Sequence, residues 1–316
     1  NDPGQIFARD EHWSTVVTTP KQPLLSWYGT VNDFRDPYLV ELTAPVAEIE
    51  MIGPDTNHFI LQRLDAYTWK IPGEKFPVDP NSVQYLIQLL ASLHVSQFVK
   101  DVVTPADLAA NGLAKPWRQI ILRSAAGDSN AIIAHLLFGN VDTNQVIVQR
   151  ADENFIYAIA PEDYKKLPQL GAWQFRDRTI WNFSETNVAQ VTVQQNGKTW
   201  QLIHHGPNHW SLGAGSGAIN TPGVEETVHD LGHLYAYYEW MARGLSKPAD
   251  YGFKPGNLSI TVTLKDGQSQ TVDFGLATGN TAVAAVTLDG ERWVFLFPPD
   301  MYQLVSSYLV VQSSVP

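Results

Sequence analysis

Phe34-Arg35-Asp36-Pro37 returns later in the chain as Phe175-Arg176-Asp177-Arg178, displaced by 141 residues (34 to 175). Its surroundings travel with it. Phe34 to Trp69 and Phe175 to Trp210 both span 35 residues, and Arg9 to Phe34 and Arg150 to Phe175 both span 25. A register kept across these landmarks marks an internal duplication, so the fold is one unit written twice.

Downstream of each Phe-Arg-Asp stretch, Val46–Met51 and Val188–Val193 alternate apolar and polar residues, the period of a strand with one buried face. Turn residues follow (Gly53-Pro54-Asp55; Gln195-Asn196-Gly197), then strands at Phe59–Leu61 or Trp200–Ile203 and strands ending at Trp69-Lys70-Ile71 or Trp210-Ser211-Leu212. This reads as a three-stranded meander. Asp79-Pro80-Asn81-Ser82 opens a helix whose apolar stripe is Val83, Leu86, Leu90 and Leu93; Val228, Leu231, Tyr235 and Tyr238 repeat those spacings. A turn comes next, Pro105-Ala106-Asp107 with Gly112-Leu113 in one copy and Pro248–Phe253 in the other. Strands are expected at Ile120–Leu122 and Ile132–Gly139, and at Leu258–Leu264 and Thr271–Gly275. Each copy then closes on a Pro-initiated short helix, Pro161–Tyr164 or Pro299–Tyr302.

About seven strands and one helix per copy predict an α+β fold: two tandem repeats, residues 29–167 and 168–316, each a mainly antiparallel sheet packed against one long helix. Residues 1–28, with strands at Gln5–Arg9 and Trp13–Val17, repeat the closing hairpin Gln145–Arg150/Phe155–Ile159. They are expected to be the terminal hairpin of an upstream unit.

Of 316 residues, 44% are apolar and 11% aromatic, ample for ordered cores. A formal net charge of −11 argues against a nucleic-acid partner or an anionic membrane surface. No apolar run is long enough to span a bilayer. The absence of cysteine rules out disulfides and thiolate chemistry and suits an oxidising compartment.

These residues together resemble a bacterial family catalogued as a domain of unknown function, number 4340. The matching features are Phe175-Arg176-Asp177-Arg178, Ala106-Asp107 with Gly112-Leu113, Phe138-Gly139, and Pro161 with Tyr164; the second copy repeats Phe274-Gly275 and Pro299 with Tyr302. Its Ala249-Asp250-Tyr251-Gly252-Phe253 turn is two residues shorter. The resemblance implies a periplasmic, extracytoplasmic envelope protein, membrane-anchored through a tether outside this chain, with a protein partner and in some members a place beside gliding-motility-type ABC exporter components. It carries no active site and no cofactor.

Three side-chain sets invite chemistry. His204, His205, His209, His229 and His233 crowd one region, and His229 and His233, four apart on a helix, share a face at metal-chelating separation. Against a metal-dependent enzyme, Asp230 stands where a zinc protease has its Glu, and the corresponding face of the first copy is polar, with Gln84 and Gln88. Gly213-Ala214-Gly215-Ser216-Gly217 fits neither a dinucleotide fingerprint nor a nucleophile elbow and reads as a loop. Arg35-Asp36 and Arg176-Asp177 are the charged pair kept in both copies; a single active site needs no second copy, so they read as structural, with partner docking the functional alternative. Trp69 and Trp210 are equivalent and expected in cores. Trp13, Trp27, Trp117, Trp173, Trp181 and Trp240 lack clear twins, and any exposed ones offer a platform for cell-wall glycan. The sequence therefore predicts a non-catalytic extracytoplasmic binding or scaffold protein with no bound cofactor.

Overall fold

The computed structural model describes residues 4–22, 24, 29–54, 58–169, 171–244 and 248–309. Trp27 and Asp55 lie outside them. A small hairpin pairs β1 (Gln5–Ala8) with β2 (Val17–Pro20). Its second strand thus starts at Val17, whereas alternation alone placed it at Trp13–Val17.

Two eight-stranded antiparallel sheets follow. The first is built from β3 (Glu48–Ile52), β4 (His58–Arg63), β5 (Trp69–Lys70), β6 (Gln97–Lys100), β7 (Arg118–Arg123), β8 (Ile132–Val141), β9 (Val146–Arg150) and β10 (Ile156–Ile159). Its order is β5-β4-β3-β7-β8-β9-β10-β6. The second uses β11 (Val188–Gln195), β12 (Lys198–Gly206), β13 (His209–Ala214), β14 (Tyr237–Arg243), β15 (Ser259–Leu264), β16 (Ser269–Thr278), β17 (Thr281–Leu288) and β18 (Glu291–Phe297). Its order, β13-β12-β11-β15-β16-β17-β18-β14, is the same pattern. The helices are α1 (Pro80–Ala91), α2 (Pro105–Ala110), α3 (Pro161–Lys166), α4 (Thr221–Leu231) and α5 (Pro299–Leu304). Two antiparallel sheets with few helices fit a mixed α+β class; in place of the one long helix expected per copy, α1 runs 12 residues and α4 11. By contacts the chain divides into two compact units, residues 1–56 with 86–167 and residues 57–85 with 168–316.

Each sheet has eight strands and not seven. The additional strands β6 and β14 follow the helix and pair with the last strand of their sheet, where β14 carries register shifts that blur any period of two. The second helix also ends early. Tyr235 and Tyr238 fall outside α4: Tyr235 bridges to Thr179, and Tyr238 lies in β14 at φ 61°. Gly232 stops the helix where a Cβ would come within 2.2 Å of the Phe183 carbonyl oxygen. The chain there presses against a neighbouring backbone, which helical spacing cannot reveal.

The 141-residue register is visible bond by bond. Leu39 N–H donates to Leu93 C=O, and Ile180 N–H donates to Leu234 C=O; Val95 N–H donates to Pro37 C=O, and Ala236 N–H donates to Arg178 C=O. Residues 161 and 299 restart the register at a displacement of 138 (161 to 299). The motifs of the Phe-Gly and Pro-x-x-Tyr segments meet in each copy: Phe138 packs 5.5 Å from Tyr164, and Phe274 packs 5.6 Å from Tyr302. The glycines after those phenylalanines are needed for close approach, since a Cβ on Gly139 or Gly275 would lie 2.2 Å from the carbonyl oxygen of Asn111 or Tyr251. These motifs are frame chemistry.

Candidate functional site

Each Phe-Arg-Asp stretch ends a 3-10 turn, Val31–Phe34 in the first copy and Ala172–Phe175 in the second. The aspartates serve their own turns. Asp36 Oδ1 accepts from Tyr38 N–H at 2.9 Å, and Asp177 Oδ1 accepts from Thr179 N–H at 2.7 Å. The arginines reach further, each onto two aromatic rings at the end of its sheet. Arg35 lies 4.0 Å over Phe98 and 5.2 Å from Phe155. Arg176 lies 4.5 Å over Trp293 and 5.7 Å from Trp240.

These ring pairs are counterparts. Phe155 and Trp293 each stand six residues before the prolines 161 and 299, while Phe98 pairs with Tyr157 as Trp240 pairs with Phe295. The arginine seat is therefore kept, with Phe replaced by Trp.

The polar surroundings differ. Arg35 donates to Asp101 at 2.6 Å. Three residues after Trp240, the position of Asp101 is taken by Arg243, which donates to Glu291 at 2.7 Å and to Glu74 at 2.7 Å. Those hydrogen bonds, Glu291 first, raise the Arg243 pKa above its ordinary value. Arg176 takes its carboxylate from Asp289 at 3.2 Å. Burial pulls the Arg176 pKa below its ordinary value, and the Asp289 hydrogen bond opposes that. Its Nε is buried with no hydrogen-bond partner, so ring faces carry much of its stabilisation.

The histidines do not form one cluster. His204 is buried and stacked on Trp210 at 4.4 Å, and its Nδ1 donates to Val188 C=O at 3.0 Å. His205 is exposed and contacts Ser211 through Nε2 at 2.7 Å, with the His209 ring 5.0 Å away. His229 and His233 do face each other, rings 5.0 Å apart. His229 Nδ1 donates to Glu185 at 3.0 Å, and His233 Nδ1 donates to His229 C=O at 3.0 Å. The Glu185 hydrogen bond raises the His229 pKa above its ordinary value and lowers that of Glu185. Among the described residues no group of three or more His, Asp or Glu side chains is arranged to hold a metal ion.

Of the tryptophans without sequence twins, Trp181 and Trp240 are buried, Trp173 is half-buried, and Trp13 and Trp117 are exposed. Trp117 lines an open concavity of about 420 Å³ with Lys115, Asn140 and Tyr164. A larger concavity of about 620 Å³ in the second unit is lined by Lys198, Lys254, Asn257, Ser259, Asp273 and Arg292, a polar set that sequence motifs did not flag. Ser259 and Arg292 both bond Asp273 there. No helix among the described residues is long and apolar enough to cross a membrane.

A family model described as a domain of unknown function (DUF4340) matches residues 69–255. No curated protein and no solved structure matches the chain.

Proposed function

Because the chain belongs to the DUF4340 family, we propose that it is a non-catalytic binding or scaffold protein acting outside the cytoplasm, an accessory subunit of an envelope complex of the ABC-exporter type. The observation that carries this reading is the use made of the side chains duplicated in both copies. Asp36 and Asp177 cap turns, Arg35 and Arg176 clamp aromatic pairs, and Phe138-Gly139 and Phe274-Gly275 lock strands to turns. The duplicated side chains serve the frame of each unit, which supports the non-catalytic reading. Absence of cysteine favours the extracytoplasmic setting.

Affinity capture from the native envelope with this protein as bait tests it. Enrichment of exporter subunits is expected; hydrolytic turnover abolished by a point substitution contradicts it. A second reading, cell-wall glycan binding, is favoured by one observation, the exposed Trp117 lining its concavity. Titration with wall fragments should then change tryptophan fluorescence in the wild type and not in Trp117→Ala, and an unresponsive spectrum removes this reading.

A further inference from the structure

The second unit covers its own Phe-Arg-Asp turn with an extended piece of chain. Val78 forms an antiparallel bridge with Arg176, Asp79 N–H donates to Phe175 C=O at 2.8 Å, and Asp177 N–H donates to Pro77 C=O at 2.8 Å. Phe76, one residue earlier than Pro77, stands edge-on to Trp293 at 5.7 Å and lies 5.6 Å from the Arg176 guanidinium. Glu74 completes the grip through Arg243. Phe175 is 2% exposed, its ring 5.8 Å from that of Phe59 and its backbone covered by this segment.

The same turn in the first unit is bare. Phe34 is 65% exposed, and Val31 and Tyr38 in the same stretch, with Val102 next to the Asp101 that bonds Arg35, are exposed too. Among the described residues, Phe34 C=O and Asp36 N–H, the counterparts of the two groups bonded by residues 77–79, have no hydrogen-bond partner. Unpaired backbone groups flanked by an aromatic side chain and an arginine seated on two rings form the kind of edge to which extended peptides add.

We infer that this bare turn is the docking site for an extended segment of a partner protein whose chemistry follows the internal precedent: an aromatic residue, then proline, then a β-branched residue. The aromatic ring goes beside Phe155 and Arg35, as Phe76 goes beside Trp293 and Arg176. The charge two residues before the aromatic is inverted. Glu74 meets Arg243, but the first unit has Asp101 in that place, 67% exposed, so the incoming segment carries a lysine or arginine there. This rests on the scaffold reading and specifies where the partner is gripped and what it presents.

The test uses fluorescein-labelled hexapeptides and the intact protein, read by anisotropy. Lys-Lys-Phe-Pro-Val-Asp is residues 74–79 with Glu74 replaced by Lys; the native Glu-Lys-Phe-Pro-Val-Asp and a scrambled Lys peptide are the comparisons. Saturable binding of the Lys peptide is expected, weaker by about tenfold for the Glu peptide. Phe34→Ser should abolish it without changing the thermal midpoint, because Phe34 is exposed. Asp101→Lys should reverse the preference between the Lys and Glu peptides. No saturable binding, equal binding of the scrambled peptide, or binding unchanged by Phe34→Ser overturns the inference. So does sedimentation showing a self-associated species that Phe34→Ser disperses, since the occupant is then a second copy. Envelope capture separates the two claims: partners retained by Phe34→Ser sink this docking face and leave the scaffold reading standing, whereas no partners for the wild type sink the scaffold reading itself.

Discussion

Phe34 and Phe175 occupy one position in two copies of one unit, yet the first is 65% exposed and the second 2%. Their local turns are alike: each aspartate caps its own turn, and each arginine lies on two rings from counterpart strands. The duplicated sequence thus specifies the frame and the seat. In the second unit the cover comes from chain outside the turn: residues 77–79 bond its backbone, Phe76 meets Trp293, and Phe59 packs on Phe175. Around the covered seat the rings are larger, with Trp240 and Trp293 where the first copy has Phe98 and Phe155.

The largest way to break this comparison is to truncate both rings. Phe175→Ala should cost about 3–5 kcal/mol in urea denaturation, the range for emptying a buried aromatic site. Phe34→Ala should stay within about 0.5 kcal/mol, as for a surface change. Equal losses would contradict the difference in burial between the two rings.

A sharper version asks where the copies must agree. Gly139→Ala and Gly275→Ala each force a Cβ to within 2.2 Å of a carbonyl oxygen. Each should cost about 1–3 kcal/mol, and the two losses should match, because the same close approach is built twice. A loss confined to one copy would separate motifs that the geometry equates.

The arginines should differ by less than the phenylalanines. Arg176→Ala removes a buried side chain lying against three rings and is expected to cost about 2 kcal/mol. Arg35→Ala leaves a half-open site and should cost about 0.5–1 kcal/mol. Comparing urea midpoints of the two variants checks the order.

The smallest expected effect belongs to a pair present only in the second copy, His229 and Glu185. The raised pKa of His229 gives stability that is full below its ordinary value and is lost as pH rises through the folded one; the lowered pKa of Glu185 gives stability present above its ordinary value and lost as pH falls through the folded one. The pair therefore helps most between the ordinary values of the two groups, 4.5 and 6.5. Both side chains are partly solvated, so Glu185→Gln should remove only about 0.2–0.5 kcal/mol there. In an NMR titration the His229 midpoint should fall toward the ordinary value in that variant.

Much of the frame was legible because a repeat reports on itself. The 141-residue displacement equated Phe34 with Phe175 and Trp69 with Trp210 before any strand was assigned, and both tryptophans are buried. The alternation in Val46–Met51 and Val188–Val193 marked β3 and β11. What escaped depended on contacts distant in sequence. Helical spacing carried the second apolar stripe past Leu231 to Tyr235 and Tyr238, because nothing local announces that Gly232 abuts Phe183. The shifted registers of the edge strands β6 and β14 hide the equivalence of Phe98 and Trp240 from a reading of periods. At the candidate site, the repeated Arg-Asp pair was visible, but not that each arginine finds its carboxylate elsewhere, at Asp101 or Asp289. Side chains of unlike type at equivalent positions, Asp101 and Arg243, leave no mark in a comparison of letters.

The most direct measurement of the central claim is site-resolved amide exchange on the intact protein. Asp177 N–H, bonded to Pro77 C=O, should be protected, and Asp36 N–H should exchange at close to the rate of an open amide. Protection of Asp36 equal to that of Asp177 would contradict the account, since the first seat would then already be filled within the chain.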